Sequence, residues 1–248
     1  MPGKSPLGVR QFWPHCADLD ATLLGMVREP IIERRPRSPE QAWAALLAGN
    51  ERFAAGRPLH PNQDAAHRVD TAAGQAPFAV VLGCSDSRVA AEIIFDRGIG
   101  DLFVVRTAGH LLGTDALASV EFAVHGLRTP LVVVLGHDSC GAVGAAVRAL
   151  RSGAVPPGFQ RAIVEHLLPG VLAAQARGIT DHDDIGRAHI TSTADLLIHR
   201  SSVVYEAVAR NQCAIVCASY RLRDGQVHMI ESIGQVSSVA DRPASEAS

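Results

Sequence analysis

Apolar residues fall along this chain in two alternating rhythms. Short unbroken runs appear at Phe78–Gly83, Leu102–Arg106 and Leu131–Leu135. Such runs suit strands buried on both faces, where neither side of the pleat meets water. Two further strands are expected at Cys213–Tyr220 and Gln226–Ile233. They are joined by Arg221-Leu-Arg-Asp-Gly225, whose Asp-Gly pair is a hairpin signal. Between the strands the spacing becomes helical. Ser38-Pro39-Glu40 is a helix start, and the helix runs through Trp43, Leu46 and Leu47 towards Phe53. Arg57 to Asp70 holds Pro58 and Pro61 and reads as an extended arm. Helices are expected over Ala90–Phe95, over Thr114–Gly126 with Leu117, Val120 and Val124 on one face, and from Gly141 to Leu150. Gly158–Arg177 is expected to be helical but broken at Pro169-Gly170, and Asp184–Arg210 to be one long helix.

This alternation predicts an α/β fold: a mostly parallel central sheet of about five strands, four parallel and one antiparallel edge, flanked by helices, with an N-terminal helical arm. Residues 1–38 form an N-terminal extension, punctuated by Pro30, Pro36 and a basic group of Arg34, Arg35 and Arg37. Residues 39–236 form the main domain, and 237–248 a frayed tail.

Composition narrows the function. The chain has 248 residues, 47% of them hydrophobic but only 4% aromatic, enough to build a sizeable core of small aliphatic side chains. Its formal net charge of −2 gives no bulk electrostatic attraction to nucleic acid or to an anionic membrane. Five cysteines, Cys16, Cys84, Cys140, Cys213 and Cys217, are odd in number and widely spaced. That usage points to a reducing compartment, where cysteine means metal or chemistry more often than a bridge. Trp13, Pro14, His15, Cys16 and Asp18 interrupt any secretory apolar run, and no stretch reaches the ~20 apolar residues of a membrane span. Cytoplasm is the expected location.

Two polar clusters sit directly after buried strands: Gly83-Cys84-Ser-Asp86-Ser-Arg88 and Gly136-His137-Asp-Ser-Cys140-Gly141. Ligands of open α/β sheets bind beyond the carboxyl ends of the strands, where strand order reverses. If the first and third strands are neighbours and the second flanks the first, the clusters meet there. Cys84, His137 and Cys140 then offer two sulfurs and one nitrogen, a donor set suited to tetrahedral Zn2+. Three protein ligands leave a fourth position open, as catalytic zinc requires. Cys213 and Cys217, four apart among Ala214, Ile215 and Val216, read as core packing on one strand face.

These residues resemble the two signature motifs of the β-class carbonic anhydrases. Leu47-Ala-Gly-Asn-Glu-Arg-Phe53, His60-Pro-Asn-Gln63, Phe103-Val-Val-Arg-Thr-Ala-Gly109 and Ser119-Val-Glu-Phe-Ala-Val124 agree, so the resemblance runs from about Pro39 to about Ile233. The resemblance implies reversible hydration of CO2 to bicarbonate and a proton through zinc-bound hydroxide. It implies one Zn2+ per chain on Cys84, His137 and Cys140, with Asp86 and Arg88 as a catalytic gate pair. It implies a homodimer, with a homotetramer as a further assembly. Gln63 would bind substrate across the dimer, Phe103, Ala108 and Phe122 would line the CO2 pocket, and Gly109 would supply backbone beside it. This chain has Phe122 where the family often has Tyr, and His110 where Asn is common. It has Val81 where a subset of the family carries a Trp that helps form an inhibitory bicarbonate pocket.

Chemistry suggests why the pair Asp86–Arg88 is needed. Two thiolates cancel the charge of the metal, so bound water should be less acidic than on three imidazoles, and its polar surroundings must be controlled. Asp86 can ligate the metal and displace water, or pair with the planar guanidinium of Arg88. The gate is expected to open as pH rises. His110 is a candidate proton shuttle by sequence proximity alone. Other readings are a COS or CS2 hydrolase on the same scaffold, a non-catalytic zinc-stabilised regulatory module, and a thiol redox protein, which would lack its usual close cysteine pair.

Overall fold

A computed structural model describes residues 35–236. Cys16, nearly all of the expected extension and the whole expected tail lie outside the described residues. The elements in chain order are α1 (Pro39–Ala54), α2 (Ala65–Asp70), β1 (Ala79–Cys84), α3 (Ala91–Ile94), β2 (Leu102–Thr107), α4 (Thr114–Glu121), β3 (Leu131–His137), α5 (Gly141–Ser152), α6 (Gln160–Ala176), α7 (His182–Arg200), α8 (Ser202–Ala209), β4 (Ala214–Tyr220) and β5 (Val227–Ile233). The strands form one sheet in the order β2-β1-β3-β4-β5. All neighbours are parallel except the β4–β5 pair, as the hairpin signal predicts.

The two faces of the sheet bury alternate residues, following the period of two. Val81, Val133, Leu135 and Val216 face one layer, packed on Trp43 and Leu46 of α1 and on Phe95. Val80, Leu82, Val132, Val134 and Ile215 face the other, beneath α4, α7 and α8. β1 and β3 are buried along their whole length, whereas β2, at the edge, is only half-buried. Each fully buried Val or Leu contributes roughly 1.5–3 kcal/mol by leaving water, so the two central strands anchor the fold. Asn50 of α1 docks that helix: its amide donates to the Gly225 carbonyl at 2.8 Å and its oxygen accepts from Val227 N–H at 2.8 Å.

Three expectations need correction, and a fourth, the helix over Thr114–Gly126, holds with a change of pitch. The arm from Arg57 to Asp70 is not extended throughout; its last six residues form α2, capped by Asp64, whose carboxylate accepts from His67 N–H. Helix α6 passes through Pro169 without breaking, because Val164 and Leu167 before it and Val171 and Ala174 after it continue one buried stripe. The long helix over 184–210 is two helices. Ser201, at φ −114° and ψ 105°, leaves the helical region and caps α8 by accepting from Val204 N–H. It also donates to Glu121 at 2.6 Å. Finally, α4 widens into a π-helical turn over Phe122–Gly126. Among the described residues no helix is long and apolar enough to cross a membrane.

Candidate metal centre

β1 and β3 are adjacent and parallel, with Gly83 opposite Leu135, so Cys84 and His137 finish side by side. β2 lies on the far flank of β1, which makes this the point where strand order reverses. Ser139 turns the chain at φ 52°, and Cys140 stands at the cap position before α5. The donor atoms of Cys84, His137 and Cys140 all lie within 4.8 Å of one another, and all three residues are buried. Neighbouring strands thus join two motifs that lie far apart in the chain.

The surroundings prepare these atoms for a cation. His137 Nδ1 lies 2.8 Å from the Asp138 carbonyl, so it carries the hydrogen and leaves Nε2 as an acceptor. Nε2 is buried and has no hydrogen-bond partner, a state that a metal ion aligned with its lone pair relieves. A hydrogen bond from Cys140 holds the Cys84 thiol well below the ordinary thiol range, against the effect of burial, with help from the N–H groups of Asp86 and Gly109. Those N–H groups lie 3.4 and 3.3 Å from the Cys84 sulfur. The same sulfur–sulfur contact, with burial, pushes Cys140 up. Gly109 must be glycine: its φ is 68°, and a Cβ there would sit 2.9 Å from that of Ala142. Two soft sulfur donors and the orphaned imidazole nitrogen fit Zn2+.

Asp86 stands at the mouth, its Oδ2 4.0 Å from His137 Nε2. Arg88 grips it in bidentate fashion, Nε to Oδ1 at 2.9 Å and Nη2 to Oδ2 at 2.7 Å. This grip holds the Asp86 carboxyl well below the usual carboxylate range. Arg88 is half exposed, so the pair matters for geometry more than for stability. Arg106, part of a segment that matches the family but given no role of its own, braces the loop from β2: it donates to the carbonyls of Cys84 at 3.0 Å and Asp86 at 2.7 Å. A long side chain reaching across from a neighbouring strand leaves no local spacing signal.

The remaining expected residues are spread around this centre. Phe103 and Phe122 touch with ring centroids 6.0 Å apart, and Phe122 is 45% exposed in the single chain. Ala108 lines a cavity of about 310 Å³ together with Thr107, Leu111, Asp115, Ile163 and His166. Gln63 is exposed, and its amide donates to the Arg97 carbonyl at 3.4 Å rather than to the sulfur cluster. Its arm is pinned by Asp96, which accepts from Arg52 and from the N–H groups of Leu59 and His60, and by Asp101, which accepts from Asn62. A Cβ at Gly98 would lie 2.1 Å from the Pro61 carbonyl oxygen, so glycine permits that contact. Val81 is fully buried in the core. His110 does not suit a proton shuttle. Its ring is buried against His189 with neither nitrogen hydrogen-bonded, and burial keeps its pKa well below the usual imidazole value.

Comparison with known proteins agrees with this geometry. Residues 79–227 match the family model described as "Carbonic anhydrase". The chain is 50% identical over 199 residues to "Carbonic anhydrase 2" of Mycobacterium tuberculosis, covering 80% of this chain and 96% of that protein. It is 48% identical to "Carbonic anhydrase" of Mycolicibacterium smegmatis, covering 82% and 98%. Its fold resembles the β-carbonic anhydrase CafA of Aspergillus fumigatus (TM-score 0.61, 26% identity, 76% and 90% covered). It also resembles a tetrameric β-carbonic anhydrase of Sordaria macrospora (TM-score 0.61, 23% identity, 77% and 98% covered). The family match, the extent of the identity and the shared sheet agree: this chain belongs to the β-carbonic anhydrase family.

Proposed function

We infer that this protein interconverts CO2 with bicarbonate and a proton, using Zn2+ held by Cys84, His137 and Cys140. The observation that carries the reading is the convergence of these three buried donors within 4.8 Å, beside a carboxylate held by its own guanidinium. Zinc bound there would supply a Lewis acid that acidifies water towards a hydroxide nucleophile.

The chain's own groups do the rest. Arg88 holds the Asp86 carboxylate in a fixed pose at the mouth of the site, where it would accept a hydrogen bond from the attacking water and orient it. Released from Arg88, the Asp86 carboxylate would compete with water for a bound zinc and close the site. Ala108, and the rings of Phe103 and Phe122 that touch each other, would give an uncharged, weakly polar substrate apolar surface, and Gly109 shapes the backbone beside Cys84. Gln63 donates to bicarbonate in the neighbouring subunit of a homodimer. Its exposure on a rigidly pinned arm supports that reading, as do the exposed apolar side chains of Leu59 and Val69 nearby in the chain. Such patches on a single chain mark association surfaces. A homotetramer is the next assembly, in line with the Sordaria relative. The four described cysteines are free thiols, which suits the reducing cytoplasm.

Zinc content and stopped-flow CO2 hydration test this together. The natural chain should carry about one zinc per subunit and hydrate CO2 faster as pH rises. Arg88→Ala should keep its zinc yet lose roughly 100- to 1,000-fold in rate, because the carboxylate loses the partner that orients it. A folded, zinc-free and inert natural chain contradicts the reading, and faster turnover of COS than of CO2 would reassign the substrate.

A further inference from the structure

The turn that delivers Cys140 is held from outside by the first residues of α7. Ser139 sits at φ 52°, a left-handed conformation unfavourable for serine. Its N–H donates to Asp183 Oδ1 at 2.8 Å, across 44 residues of sequence. The ring of His182 bridges the same two elements. Nδ1 lies 3.0 Å from Asp183 Oδ1, and Nε2 lies 3.1 Å from the carbonyl oxygen of Cys140. The bridge is itself anchored, because Asp181 accepts from the N–H groups of Asp183 and Asp184 and caps α7. Close packing leaves little room for drift: a Cβ on Gly144 of α5 would lie 3.3 Å from His182 Nε2. On the opposite side, Asp138 accepts from Leu222 N–H at 2.9 Å and ties the same loop to the β4–β5 hairpin.

We propose that His182 and Asp183 are positioning residues for the metal centre, holding the backbone of Ser139 and Cys140 so that the Cys140 sulfur meets Cys84 and His137. This rests on the reading of those three residues as zinc ligands. Neither side chain touches the cluster atoms themselves; each acts through the backbone on either side of the cysteine's Cα. The sequence reading assigned them no role, because nothing in the spacing of a helix start reveals which distant loop it will meet.

The test is zinc affinity by chelator competition on the full chain, with the absorption spectrum of the Co2+-substituted protein as a reporter of sulfur geometry. Asp183→Ala should weaken zinc binding about 10- to 100-fold and shift the Co2+ bands, the range seen when a supporting partner of a ligand is removed. Asp183→Asn, which keeps an oxygen for Ser139 N–H, should recover much of that loss. Asp184→Ala, which removes a neighbouring carboxylate that pairs instead with Arg187, should leave affinity and spectrum as in the natural chain. If Asp183→Ala does not fold, His182→Ala decides by the same two readouts. A folded variant of Asp183 or His182 with the natural affinity and spectrum overturns the proposal alone. A natural chain that binds no zinc overturns the ligand reading and the positioning role with it.

Discussion

Two pairs of buried cysteines in this molecule meet opposite fates. Cys84 and Cys140 stand where strands end and a helix begins, with an imidazole and several N–H groups aimed at them. Cys213 precedes β4 and Cys217 lies within it, opposite Val134, in the apolar layer beneath α7 and α8. All four are almost inaccessible, so burial does not distinguish them. The thiol of Cys84 is drawn well below the ordinary thiol range by donors, whereas burial pushes those of Cys213 and Cys217 up to about 12. Position along the strand makes the difference. A strand's middle is surrounded by paired backbone and apolar side chains, while its carboxyl end opens onto loops with unpaired N–H groups.

The contrast can be broken most severely at Cys140. Cys140→Ser should abolish stoichiometric zinc and reduce CO2 hydration to the uncatalysed rate, while Cys213→Ser should leave zinc content unchanged; metal analysis of both proteins checks this. A smaller effect should come from alkali. The folded values of Cys213 and Cys217, about 12, lie above the ordinary thiol value of 9.0. Neutral thiols therefore favour the folded state below about pH 9, and this contribution declines as pH rises from about 9 through about 12, where only the unfolded chain can readily ionise them. Thermal melts at about pH 8 and about pH 10.5, on either side of the onset of that window, should show a smaller alkaline drop for the Cys213→Ala, Cys217→Ala double variant than for the natural chain. Smallest of all, Cys217→Ala should lower stability by about 1–2 kcal/mol through the space it leaves, with zinc content unaltered, as read by urea unfolding.

The candidate metal centre was legible in the sequence because each half of it is local. Cys84 lies at the end of one apolar run, and His137 and Cys140 follow another, close enough together to share one turn. Strand order then needed one assumption, which the sheet bears out. The residues that brace the centre were not legible. Arg106, His182 and Asp183 reach it across a sheet edge or from a helix start, through contacts with main-chain atoms that any sequence possesses. The break at Ser201 had a signal, the Ser201-Ser202 pair, but helical periodicity on both sides masked it. Pro169 misled in the opposite direction, because its missing donor is outweighed by a stripe of buried side chains that only packing reveals.

What this sequence determined by itself was the chemistry and its carriers: a sulfur–nitrogen donor set, a carboxylate with its guanidinium, and buried parallel strands to present them. Residue type and short-range spacing encode these directly. Tertiary structure alone decided which backbone groups hold those carriers still and where the Gln63 arm is fastened. Those outcomes depend on contacts between segments distant in the chain, and their energies come from hydrogen bonds and close packing that exist only once the sheet and its helices have assembled.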